Sequence, residues 1–171
     1  MVVRFTCRTD IAAPVDLVLD LSSSIDEHLG SMRGFGERAI AGVTTGQIGP
    51  GQRVTWQARH FGIRWRMTSR ITRFRRPVSF VDEQVSGPFA AFRHEHRFHA
   101  QPRAFGQGDG DGEGTGLVDL VEFRAPLGPV GRLAEILALR WYVRHLIELR
   151  NAHLKQRAEA RGHAPGPRGS V

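Results

Sequence analysis

Hydrophobic and polar positions alternate from the start of the chain: Val3, Phe5 and Cys7 are apolar, Arg4, Thr6 and Arg8 polar. This period of two predicts a half-buried strand. Pro14 then opens a short apolar helix, Val15 to Leu21. Ser22 to Ser24 offer caps for a second short helix, Ile25 to Met32, and Asp26 and Glu27 suit its first turn. Gly34 to Thr45 reads weakly as a strand, and Ile48-Gly49-Pro50-Gly51 as a turn. Val54, Trp56 and Ala58 alternate with Arg53, Thr55, Gln57 and Arg59. Beyond a turn at Phe61-Gly62, Ile63, Trp65, Met67 and Ile71 alternate with Arg64, Arg66, Thr68 and Arg70. Val78 to Val85 and Phe89 to His99 are further strands, parted by Gly87-Pro88. Ala104 to Gly114 reads as a mobile hairpin tip, and Leu117 to Phe123 as the last strand. Pro126, Gly128 and Pro129 lead into one long helix, from about Pro129 to Lys155.

A strand, two short helices, six strands and one long helix make an α+β domain with helices segregated from an antiparallel sheet. A curved sheet wrapped around one helix leaves a hollow, where a small molecule fits. The domain is expected over residues 1–158. From Glu159 the composition turns to Arg161-Gly162-His163-Ala164-Pro165-Gly166-Pro167, so residues 159–171 are expected to form a disordered basic tail. At 100° per residue, Ile136, Leu139, Tyr142, Val143, Leu146, Leu149 and Leu154 form the helix stripe that faces the sheet. Arg150 falls inside that stripe, either snorkelling to the cavity mouth or pairing with an acid such as Glu27. Val130, Leu133, Leu137 and Trp141 form a patch on the opposite side, bordered by Arg140 and Arg144. Neighbouring segments cover it, or Leu137 and Trp141 make a peripheral membrane or dimer contact.

Alternation also assigns faces. Phe92, His94, His96 and Phe98 share one face of their strand, as do Phe80, Asp82 and Gln84 on the strand before and Leu117, Asp119, Val121 and Phe123 on the last. If these faces are concave, the hollow is an apolar wall of Trp56, Trp65, Met67, Phe80, Phe92, Phe123, Tyr142 and Leu146. Its polar cluster is then Asp82, Gln84, His94, His96 and Asp119, with Arg150 near the end. Few polar groups amid much apolar surface is the composition of a ligand site. His94, His96 and Asp119 are also the candidates for acid–base catalysis. A structural His–Asp pair is the alternative. His94-Glu95-His96 offers two imidazoles and a carboxylate at strand spacing, but Ala100 and Gln101 stand where a further carboxylate ligand would follow, so no metal and no cofactor is expected. No nucleophile elbow is present. Asp109 to Glu113 mimics the start of a calcium loop, but Leu120 occupies its twelfth position.

The chain has 171 residues and a formal net charge of +7, carried by arginine, since Lys155 is the only lysine. The outward arginines suggest nucleic acid at first sight. Glu83 and Glu95 share their face, however, and the aromatics alternate inward and leave no stacking platform, so no nucleic-acid partner is expected. A single cysteine, no leader and no apolar run of roughly 20 residues predict a cytoplasmic protein with no transmembrane segment.

The order of elements resembles that of the START/Bet v 1-like superfamily, the SRPBCC or polyketide cyclase/dehydrase group. FVDEQVSGPFAAFRHEHRF, from Phe80 to Phe98, is similar to the turn-flanked strand pair of one bacterial branch. GTGLVDLVEFRAPLGPVGRL, from Gly114 to Leu133, is similar to its last strand and lead-in to the helix. The resemblance runs from about Val2 to Arg157 and implies a helix-grip fold, with a seven-stranded antiparallel sheet around the long C-terminal helix. Members bind lipids, sterols, quinones or polyketides, and some are cyclases. A small hydrophobic ligand is therefore the expected partner, with a binding protein preferred to a catalyst and a membrane-docking lipid or quinone chaperone as a further possibility.

Overall fold

A computed structural model describes residues 1–102, 113–125 and 132–162, with the backbone alone for 132–136. The expected hairpin tip and the Pro126 to Pro129 lead-in lie largely outside the described residues, as do Val130 and the side chains of Leu133 and Ile136. The described residues form β1 (Val2–Ile11), α1 (Val15–Ser22), α2 (Ile25–Ser31), β2 (Arg38–Gly42), β3 (Arg53–His60), β4 (Ile63–Arg75), β5 (Ser79–Ser86), β6 (Ala91–Pro102), β7 (Glu113–Arg124) and α3 (Arg132–Gly162). The strands make one antiparallel sheet in the order β1-β7-β6-β5-β4-β3-β2.

That order explains the early helices. β1 and β2 are consecutive strands on opposite edges of the sheet, so the chain between them must cross its whole width. α1 and α2 make the crossing and cover one end of the concave face. Ser24 caps α2, its side chain accepting from the Glu27 N–H at 3.3 Å, as the serine run foretold. From β2 to β7 each strand pairs antiparallel with the next in sequence. The β3–β4 turn places Phe61 and Gly62 at φ 54° and 75°, the pair of positive φ angles that fits the twist of a two-residue hairpin.

α3 lies across the sheet with Val143, Ile147, Arg150, Asn151, Leu154 and Ala158 buried. This face is rotated from the expected stripe. Leu149 is 37% exposed, because it precedes Arg150 by 100° and Arg150 faces inward. The helix also runs past the expected end at Lys155. Ala158 is fully buried, the Glu159 carboxylate accepts from the Ala12 N–H at 2.9 Å, and Arg161 donates to Glu27 at 2.9 Å. Residues 159–162 therefore belong to the domain rather than to a tail. Composition failed to anticipate it because these side chains are held by partners on the α1–α2 side. Glu27 is the anchor: it also accepts from Arg157, at 3.0 Å, and contacts His153 at 3.1 Å.

Two apolar clusters hold the layers together. Ile11, Leu19, Leu117 and Leu154 belong to one, under α1 and the end of α3. Val3, Phe5, Cys7, Phe123, Val143 and Ile147 form the other, against β1 and β7. A close-packed site of this kind resists added volume. Ala158→Leu is expected to destabilise the protein by about 1–3 kcal/mol in urea unfolding, with the native far-UV spectrum retained.

Candidate ligand cavity and its His–Asp cluster

Between α3, the short helices and strands β3 to β6 lies a cavity of about 390 Å³. Its volume falls within the roughly 300–1,000 Å³ typical of small-molecule sites. The body is apolar: Ile48, Val54, Trp56, Ala58, Trp65, Met67, Ile71, Phe80 and Phe92 come from the sheet side, Leu139, Val143, Leu146 and Ile147 from α3. Ser22, Asp82, His94, His96 and Arg150 contribute polar groups to the lining. Tyr142, His60 and the exposed Phe61 also line it, Tyr142 Oη lying 2.7 Å from His60 Nδ1 and its ring 4.5 Å from that of Phe61.

The polar cluster is set by strand register. Asp82 stands opposite His94 in the β5–β6 ladder, and Asp119 opposite His96 in the β6–β7 ladder. Period two then points all four side chains to the concave face, while Glu95 points outward to Arg93 and Arg97, each at 2.7 Å. Asp119 Oδ1 lies 2.8 Å from His94 Nε2 and 2.9 Å from His96 Nδ1. His96 Nδ1 nevertheless has no hydrogen bond among the described residues, since Asp119 lies off the direction in which that nitrogen bonds. On the other side of the rings, Asp82 Oδ2 is 3.2 Å from His96 Nε2 and 3.9 Å from His94 Nδ1. From α3, Asn151 donates to Asp119 Oδ2 at 2.6 Å. Arg150 donates to the Ser22 carbonyl at 2.9 Å and sits 3.9 Å from Asp119 Oδ1.

Burial pushes the Asp119 carboxyl up, but its contacts with His94 and His96 outweigh that and hold it well below its ordinary 3.8. Asp82 is lowered in the same way, burial again opposing and His96 prevailing. Burial, followed by the charge of His96, lowers His94 below its ordinary 6.5 against the pull of Asp119, so a neutral imidazole faces an ionised acid. Burial pushes the Cys7 thiol up to about 11, which rules it out as a ready nucleophile.

Of the residues expected at the site, Trp56, Trp65, Met67, Phe80, Asp82, Phe92, His94, His96, Tyr142, Leu146 and Arg150 line the cavity. Three do not. Gln84 is turned to the β5–β6 hairpin, donating to the Phe89 carbonyl at 2.7 Å and accepting from its N–H at 3.3 Å. Phe123 is buried in the core against β1, and Asp119 lies behind the histidines. Arg150 turns to Ser22 and Asp119 instead of Glu27, whose carboxylate is already held by Arg157 and Arg161. Asn151, His60 and Ser22 were not singled out from sequence as site residues. For Asn151 the signal was a second polar residue, beside Arg150, on the buried face of α3. Leu137 and Trp141 stand 52% and 69% exposed, with Trp141 stacked on His145 at 5.7 Å.

An open antiparallel sheet gripping a helix over an apolar cavity defines the helix-grip fold. The chain belongs to the polyketide cyclase/dehydrase and lipid transport family, whose model matches residues 2–159. Among solved structures, it is similar to the Zhui aromatase/cyclase of a Streptomyces species (TM-score 0.70, 19% identity, covering 97% of this chain and 99% of that one). A protein of Thermus thermophilus superposes with a TM-score of 0.69 at 16% identity, over 92% of this chain and 98% of the other. The major latex-like protein 151 of Panax ginseng gives 0.59 at 14% identity, over 92% and 97%. At these identities the likeness is one of fold. No curated protein matches the chain. No helix among the described residues is long and apolar enough to cross a membrane.

Because Asp119 has a lower pKa folded than unfolded, its stabilisation is complete above its ordinary 3.8 and declines as the pH falls below that value. Asp119→Asn should flatten this acid slope in urea unfolding between about pH 5 and 2. At neutral pH it should cost about 3–5 kcal/mol, as expected when one partner of a buried ionic cluster is removed.

Proposed function

We propose that the protein binds a small hydrophobic molecule with an oxygen-bearing polar end, its apolar body between Trp56, Trp65, Phe92 and Leu146. The polar end lies against Ser22, Asp82, His94 and Arg150. The observation that carries this reading is the uneven use of hydrogen-bonding capacity along the cavity lining. Asp119 is held by His94 and Asn151 and lies outside the lining, whereas the buried Ser22 hydroxyl has no partner among the described residues and Asp82 faces the cavity. A buried hydroxyl without a partner costs about 1–3 kcal/mol, which a ligand oxygen would offset. The family, described as polyketide cyclase/dehydrase and lipid transport, supports the same class of ligand.

A second reading, acid–base catalysis on the bound molecule, is favoured by one contact. The ionised Asp119 can only accept, so His94 donates through Nε2 and keeps Nδ1 bare as a proton acceptor. Asp119 would then stabilise the imidazolium formed, as cyclisation and dehydration require.

Binding is tested by titrating a naphthalene-based fluorescent probe into the protein. One saturable site is expected, and Ala58→Trp, which fills the cavity body, should weaken it at least about tenfold. Absence of saturable binding, or an unaffected Ala58→Trp with native circular dichroism, would contradict the proposal. His94→Ala separates the two readings on an identified ligand. A binding protein loses affinity modestly; a catalyst keeps affinity and loses turnover by roughly 10²-fold or more.

A further inference from the structure

We propose that Asp82, His94 and His96 form a binding site for one divalent first-row transition-metal ion, open to the cavity. Glu95, the carboxylate between the two histidines in sequence, faces outward to Arg93 and Arg97. Register supplies a different one: Asp82, one strand over and paired with His94. One ligand atom from each of Asp82, His94 and His96 lies within 4.8 Å of the others. In a tetrahedral zinc site with bonds of roughly 2.0–2.1 Å, ligand atoms stand about 3.3 Å apart. The Asp82 Oδ2 separations from His96 Nε2 and His94 Nδ1, 3.2 and 3.9 Å, bracket that spacing.

The side-chain geometry favours a cation there. His94 donates through Nε2 to Asp119, which leaves its Nδ1, 3.9 Å from Asp82 Oδ2, free to bind an ion. His96 Nε2 lies 3.2 Å from the same carboxylate oxygen. An ion held by Asp82 Oδ2, His94 Nδ1 and His96 Nε2 would sit among these three atoms. Asp119 then orients the His94 imidazole from behind, itself fixed by Asn151 at 2.6 Å. Two carboxylates against one guanidinium, Arg150, leave the cluster anionic before an ion enters. Two imidazoles and one carboxylate suit zinc or ferrous iron, and the remaining coordination position points into the cavity, where water or a ligand oxygen would complete it.

Metal uptake is measured without the proposed apolar ligand, so the site stands or falls independently of it. The full chain, stripped with a chelator, is titrated with cobalt(II) and then zinc(II). One equivalent of cobalt should bind with a visible absorption band typical of low coordination number, and zinc should displace it. Asp82→Asn should weaken zinc by about 100-fold, while Glu95→Gln should leave it unchanged. No uptake at one equivalent would overturn the proposal. Equal uptake by Asp82→Asn would overturn it as well, since the ion would then sit adventitiously on surface histidines. If Asp82→Asn loses the native near-UV spectrum, zinc X-ray absorption of the unaltered chain decides: two imidazoles support the site, and a shell of oxygen alone refutes it.

Discussion

Asp119 is fully buried in the middle of β7, and four side chains from two other elements approach its carboxylate: His94 and His96 of β6, Arg150 and Asn151 of α3. Removing such a charge from water costs several kcal/mol, and only well-placed donors return that cost. The position of α3 over the sheet is therefore coupled to the register of β6 against β7. Slipping β6 by one residue would turn the histidines outward and leave an unpaired charge in the core. Asp119 lies behind the histidines and outside the cavity lining, to which Asp82, Ser22 and the histidines themselves contribute.

The remainder of the site follows from carrying the chain between the two edges of the sheet. α1 and α2 make that crossing, and the Ser22 carbonyl at the end of α1 receives Arg150, so this end of the cavity is closed by a hydrogen bond between helices. Glu27 adds a second tie, binding α2 to three residues in the last turns of α3. Tyr142, meanwhile, meets the β3–β4 hairpin, through His60 and the positive-φ residue Phe61. Among the described residues, Arg150 and Glu27 tie α3 at one end of the cavity and Tyr142 meets the hairpin at the other.

Much of this was legible in the sequence, for a definite reason. Period-two alternation reports which face of a strand is buried, so the inward placement of His94, His96, Asp82 and Asp119 could be read from their neighbours Phe80, Phe92, Phe98 and Val121. The misplacements occurred where orientation depends on something other than period. Gln84 shares the inward face in pattern, yet its amide is drawn to the Phe89 backbone at the strand end. The α3 stripe was rotated because hydrophobicity favoured Leu149, whereas burial follows the polar partners of Arg150 and Asn151. The last turn of α3 was read as tail because helical propensity and composition carry no record of Ala12 and Glu27, its distant partners. Pairing across strands was likewise invisible: alternation puts Asp82 on the face of His94 and His96, but only register shows that it stands opposite His94.

The family and the fold support a hydrophobic ligand-binding or cyclase-like protein, and the acid–base reading and the metal site rest on the same claim: an ionised Asp119 fixes the His94 ring and leaves its Nδ1 bare. The nitrogen-15 spectrum of the histidine side chains in the metal-free protein at neutral pH tests this most directly. His94 is expected as a neutral imidazole protonated at Nε2, with Nδ1 bare. A His94 protonated at Nδ1 and bare at Nε2 would refute the claim, since the lone pair would then point at Asp119.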